Sequence, residues 1–162
     1  MQRGMQDVAS QFREYVRLDR LRRHDGLSPA ELERWKLLKR KLARHFSPGI
    51  SDARADQRES VRVPSRLTVS FGSENELVRS LMTNLSRKGL FVCTEDVLEM
   101  GTRLDLCIHV DRPDREIPVR VEVVSRYVGP NYAQETGMGM RFLDMPPDVE
   151  KQIEELYEQL AR

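Results

Sequence analysis

The sequence predicts a mainly β fold with flanking α-helices: a six-stranded antiparallel barrel preceded by a helical hairpin and followed by a C-terminal helix. Three observations carry this prediction. Apolar residues recur at helical spacing over residues 1–46 and again after Pro146, whereas the stretch from Val61 to Leu143 is dominated by a period of two. No helical pattern separates the strand-like segments, which favours an antiparallel barrel over an alternating parallel sheet. With 162 residues the chain has room for one barrel and a few helices, so a large multidomain enzyme is excluded.

The first helix is read from Val8, Phe12, Tyr15 and Leu18 or Leu21, and the second from Leu32, Trp35, Leu38, Leu42 and Phe46. Asp25-Gly26 supplies the turn between them. The second helix has an explicit start: Ser28 as N-cap, Pro29 at the first helical position, Glu31 three residues after the cap, and Leu27 placed to staple onto Leu32. Residues 1–46 therefore form a helical hairpin whose apolar stripes must be buried on each other, on the barrel, or on a second copy of the chain, so a homodimer through these stripes is one outcome. Residues 47–57, SPGISDARADQ, have few large apolar residues and the composition of a linker.

The barrel is assigned to residues 58–145. Val61, Val63, Leu67, Val69 and Phe71 alternate with polar residues, and Gly72 to Asn75 turn the chain back into Glu76 to Met82. Further strands are expected at Gly89 to Thr94, Thr102 to Val110, Ile117 to Val128 and Gly137 to Leu143, with turns at residues 111–114 and 129–131. Residues 146–162 form the last helix, with Val149, Ile153, Leu156 and Leu160 on one stripe.

Hydrophobic residues make up 39% and charged residues 33% of the chain, a balance that is too apolar for wholesale disorder. No window approaches a membrane-spanning length of apolar residues, and the start lacks the apolar core of a secretory signal, so the expected location is cytoplasmic. The net charge of +1 hides an asymmetry: residues 1–57 hold 13 cationic against 8 acidic side chains. Cys93 and Cys107 are far apart, and His24, His45 and His109 are scattered, so the spacing indicates neither a disulfide framework nor a metal site. No catalytic triad, thiol-imidazole pair or phosphate loop is visible, so the chain is read as a non-enzyme with no cofactor.

Two short constellations carry chemistry. Arg58-Glu-Ser-Val-Arg62 lies where the linker meets the first strand, and Asn84-Leu-Ser86-Arg-Lys-Gly89 lies between the second and third strands. Together with Gly137-Met-Gly-Met-Arg-Phe142, they give residues 57–145 a resemblance to the PilZ domain, the bacterial receptor module for cyclic di-GMP. The family pattern is R-x-x-x-R followed by D/N-x-S-x-x-G, and both halves match in order. Asn84 stands where Asp is commoner, and Lys88 where a second Gly is frequent. The resemblance implies a six-stranded barrel with a C-terminal helix, cyclic di-GMP as ligand, and an output in motility, surface polysaccharide or development.

The residue chemistry is consistent with that ligand. A guanidinium is planar and always charged, so it chelates phosphate oxygens or the O6 and N7 acceptors of guanine and stacks on purines. Asn84 and Ser86 offer short donors and acceptors, and Gly89 removes a side chain where a base or backbone must approach. The expected site is Arg58, Arg62, Asn84, Ser86 and Gly89, with Arg66 and Arg141 as surface strand residues nearby. The competing reading pairs Arg58 and Arg62 with acids such as Asp56 and Glu59 and makes Gly89 a positive-φ turn residue. On that reading the chain is a protein-interaction adaptor that binds no nucleotide. The protein partner is not specified beyond the motility machinery that the resemblance implies. The run Lys36, Lys39, Arg40, Lys41 and Arg44 has the charge for nucleic acid but little aromatic interleaving, so it is read as a solvated face.

Overall fold

The structure is a computed structural model that describes residues 2–73, 76–112, 114–128 and 136–161. Residues 74–75 of the turn expected at 72–75, the turn expected at 129–131, and Pro113 of the turn at 111–114 lie outside the described residues, while Gly72 and Ser73 continue the first strand. The chain divides into two compact units, one of Met1–Val63 with Tyr157–Arg162 and one of Pro64–Leu156.

In the first unit, α1 (Gln2–His24) and α2 (Pro29–Phe46) form the expected hairpin. Ser28 Oγ accepts the Glu31 N–H, and the Glu31 carboxylate accepts the Ser28 N–H, a complete capping box. The facing stripes are buried, with Phe12, Tyr15, Leu18, Leu38 and Leu42 nearly inaccessible. Phe12 meets Phe46 edge-on at 6.1 Å, and Tyr15 stacks on Trp35 at 6.4 Å. Such pairs contribute about 0.5–1.5 kcal/mol beyond their buried area. Asp19, only 3% exposed, accepts a hydrogen bond from Trp35 Nε1 at 3.2 Å and pairs with Arg22 at 3.1 Å, so its buried charge is compensated.

A short helix, α3 (Asp52–Gln57), interrupts the stretch read as a linker. It lacks an apolar stripe, which is why periodicity misses it; only Ala55 is buried. Polar contacts build it instead. Ser51 Oγ caps it by accepting the Arg54 N–H at 3.2 Å, and two ion pairs fasten it to α2. Arg40 grips Asp56 in a bidentate pair at 2.9 and 2.7 Å, and Arg44 holds Asp52 at 2.8 Å.

In the second unit the six strands are β1 (Val63–Ser73), whose first residue belongs to the other unit, β2 (Glu76–Leu85), β3 (Gly89–Cys93), β4 (Arg103–Asp111), β5 (Asp114–Tyr127) and β6 (Gly137–Leu143). They close into a barrel in the order β1-β2-β3-β6-β5-β4, and the β1–β4, β2–β3, β3–β6, β4–β5 and β5–β6 pairings are antiparallel. Alternate residues fill the interior, as in Leu106, Ile108 and Val110 of β4 and Ile117, Val119, Val121 and Val123 of β5. Two ladder irregularities interrupt the alternation, between Met82 and Asn84 on β2 and between Val123 and Ser125 on β5.

The last helix, α4 (Pro147–Leu160), buries Val149, Ile153, Leu156 and Tyr157, whereas Leu160 of the expected stripe is half-buried. A small cavity of about 260 Å³ lies at its start, lined by Leu143, Met145 and Val149 with Pro118, Arg120 and Asp105 of the barrel wall. Among the described residues no helix is long and apolar enough to cross a membrane.

Candidate functional site

Arg58 and Arg62 lie in the first unit, and the backbone between them is held from two sides. The Tyr15 hydroxyl accepts the Val61 N–H at 3.2 Å, while the Tyr157 hydroxyl donates to the Val61 carbonyl. Val61 is 2% exposed, so these hydroxyls satisfy peptide groups that water does not reach. The tyrosines come from α1 and from the last turn of α4, a long-range arrangement with no local signature. Arg58 caps α3 in an extended conformation and reaches Ser47 Oγ at 3.4 Å, a long contact.

Neither arginine pairs with a carboxylate among the described residues. Asp56, a candidate partner on the competing reading, is taken by Arg40, whose hydrogen bond holds the Asp56 carboxyl below its ordinary pKa. Desolvation, and then repulsion from Arg62 and Arg54, pushes the Arg58 pKa down. Desolvation and then Arg54 do the same to Arg62, although much of its side chain faces solvent. Both stay charged, because guanidinium starts far above neutrality. The result is a crowd of three cations that an anion would relieve.

The basic run of α2 is used differently. Arg40 and Arg44 are bound to α3, and Lys39, 5% exposed, sits 5.1 Å from the centre of the Trp35 ring and donates to the Asp56 carbonyl. These three are therefore structural, and less of the run is a solvated face than its sequence implies.

Asn84, Ser86 and Gly89 lie together in the second unit, at the β2–β3 connection. Asn84 is within β2, paired with Phe91. Met82 and Leu85 both point inward three residues apart, which the irregularity at Thr83 permits, and the same irregularity turns Asn84 onto the outer wall. Its amide makes no hydrogen bond with the described residues. Ser86 closes the turn twice, its N–H donating to the Gly89 carbonyl at 2.8 Å and its hydroxyl to the same oxygen at 3.2 Å.

Gly89 is required for space and not for a positive φ. A Cβ there would lie 2.1 Å from the Met140 carbonyl oxygen and 3.1 Å from the Arg141 Cα, because β6 runs directly against it. Lys88 is exposed, and its carbonyl accepts the Phe142 N–H at 2.8 Å, so the residue in place of a second glycine is accommodated.

The wall beside this turn carries small residues packed around one aromatic ring. One cross-strand row runs Asn84, Phe91, Gly139, Ser125, so the Phe91 ring lies beside bare backbone at Gly137 and Gly139. In the next row, Gly89, Arg141 and Glu122 are neighbours. Arg141 binds Glu122 at 2.7 Å, and Arg103 binds the same carboxylate at 3.0 Å. Arg141 is thus occupied in the wall, and Arg66 is exposed on β1, in keeping with their reading as surface strand residues.

A model of the PilZ domain family matches residues 56–159. No curated protein matches the chain. Among solved structures, the PilZ domain of Escherichia coli YcgR with c-di-GMP shares 20% identity at a TM-score of 0.55, over 65% of this chain and 92% of that one. The Bacillus subtilis inhibitor of motility MotI/DgrA shares 21% at a TM-score of 0.54, over 64% of this chain and 50% of that one. The Klebsiella pneumoniae MrkH complex with c-di-GMP shares 15% at a TM-score of 0.54, over 62% of this chain and 50% of that one. The match thus spans about half the length of MotI and of MrkH.

Proposed function

Because the chain belongs to the PilZ domain family, we propose that it is a non-enzymatic receptor for cyclic di-GMP that converts nucleotide binding into a change in its interaction with a protein partner. The observation that carries this reading is the unpaired cationic cluster at Arg58 and Arg62. Nearby Arg40 and Arg44 have carboxylate partners, whereas these two have none among the described residues. A dianionic dinucleotide with guanine acceptor edges suits two forked guanidiniums. Asn84, whose amide makes no hydrogen bond with the described residues, and Ser86 would read a guanine edge beside the Phe91 ring, while Gly89 keeps β3 close against β6 and so holds the turn that presents them.

The route to an output begins at α3. Arg58 follows this helix directly, and α3 is held by Ala55 as its one buried side chain, by the hydrogen bond from Lys39 to the Asp56 carbonyl, and by two exposed ion pairs to α2. Such exposed pairs contribute little, because water screens them. A ligand that draws Arg58 toward its phosphates would pull on α3 against these few contacts and alter the surface offered by the hairpin. A coupling of about 1–3 kcal/mol would change partner affinity by about 5- to 150-fold.

The test is calorimetric titration of the full chain with cyclic di-GMP, beside Arg58→Ala, Arg62→Ala and Asn84→Ala. Saturable binding in the wild type, weakened about tenfold or more by either arginine substitution, is expected, since each removes a charge-assisted phosphate contact. No heat at tens of micromolar ligand would overturn the receptor reading and leave the chain as a PilZ scaffold acting through protein contacts alone.

A further inference from the structure

The barrel wall carries a second cluster of chemically active side chains, distinct from the residues assigned to the nucleotide. Cys107 and His109 are two apart on β4 and so project from one face, opposite to the buried Leu106, Ile108 and Val110. The β4–β5 register sets His109 directly across from Glu116, which places Glu116 diagonal to Cys107. A thiol, an imidazole and a carboxylate thereby converge, with one donor atom from each lying within 4.8 Å of the others. His109 Nδ1 is 3.2 Å from Glu116 Oε1, and its other nitrogen, Nε2, is 3.0 Å from Ser70 Oγ on β1.

We propose that Cys107, His109 and Glu116 form a binding site for one divalent transition-metal ion of the zinc class, with Ser70 orienting the imidazole. Sulfur, nitrogen and oxygen donors in one set match zinc, whereas magnesium and calcium require oxygen ligands almost exclusively. Tetrahedral ligands at zinc bond lengths lie about 3.3–3.6 Å apart, so the observed spread closes with small side-chain rotations while the strands stay in place. The Ser70 contact supplies the hydrogen bond that a metal-bound imidazole makes through its far nitrogen: Nε2–H donates to Ser70 Oγ and Nδ1 faces the metal. Three protein ligands leave a fourth position for water. On binding, the Cys107 thiol gives its proton to solvent as the metal–sulfur bond forms.

The site does not depend on the nucleotide reading, and its test uses the full reduced chain without nucleotide. Zinc is titrated in competition with a chromophoric chelator, and cobalt(II) is added separately as a spectroscopic probe. One equivalent of zinc per chain and a near-ultraviolet thiolate-to-cobalt band are expected. Cys107→Ser should abolish the band and weaken zinc by about 100-fold, Glu116→Gln should weaken it by about 10- to 100-fold, and Cys93→Ser should change neither. Circular dichroism checks the fold, and if Cys107→Ser does not fold, His109→Gln on the same wall replaces it. The proposal is overturned if the wild type gives no thiolate band, if Cys93→Ser removes the band, or if zinc binds equally well without these side chains.

Discussion

Replacing Gly89 with alanine separates two roles that the motif glycine could have, leaving room for a ligand or leaving room for a strand. The added Cβ would stand 2.1 Å from the Met140 carbonyl oxygen, which is backbone and cannot rotate away. Restoring ordinary contact requires β3 and β6 to part by about 1.2 Å, which takes about two ladder hydrogen bonds beyond bonding distance. Two net hydrogen bonds at about 0.5–1.5 kcal/mol each, together with overpacking at about 1–3 kcal/mol, give a loss of about 2–6 kcal/mol. For a chain of this size that is a fall in Tm of about 4–24 °C.

Two other glycines calibrate the measurement. Gly139→Ala would clash with the Ser125 hydroxyl at 2.3 Å, the end of a side chain that can turn aside, and would meet Ser125 Cβ and the Phe91 ring at ordinary contact distances of 3.6 and 3.8 Å, while Gly72→Ala would meet nothing within 4 Å. The expected order of destabilisation is therefore Gly89 well above Gly139, with Gly72 near zero, in thermal melts without nucleotide. A Gly89→Ala protein that melts with the wild type, losing only ligand affinity, would refute the argument that the glycine serves the β3–β6 contact.

The remaining expectations concern buried polar groups and charge. Tyr157→Phe removes the donor to the buried Val61 carbonyl and should cost about 1–3 kcal/mol in denaturant unfolding, while preserving the ring that meets Phe12 at 4.8 Å. Arg103 first, and then Arg141, hold the Glu122 carboxyl below its ordinary pKa. Its folded pKa is thus lower than its unfolded value, so its contribution to stability is present above about pH 4.3 and is lost as pH falls through the depressed folded value. Melts of the wild type against Glu122→Gln between neutral and acid pH should converge at the acid end, and parallel curves would contradict the pairing.

What the sequence determined by itself was local. Helix and strand positions follow from apolar spacing, and the start of α2 follows from Ser28, Pro29 and Glu31, because helix capping and side-chain alternation act over a few residues. The motif pair at Arg58 and Asn84 was legible for the same reason, as were the chemical capacities of its side chains. The tertiary structure alone decided matters that depend on which distant segment lies alongside. It assigned Asp56 to Arg40 and left Arg58 and Arg62 without an acid among the described residues, and it pinned Val61 between tyrosines from two helices. An extra residue in the β2 ladder turned Asn84 outward, and β6 supplied the backbone that Gly89 leaves room for, where the competing reading expected a positive φ. It also brought Cys107, His109 and Glu116 together, although no metal-ligand spacing announces them, because strand register joins residues by position across the sheet and leaves no mark on their separation along the chain.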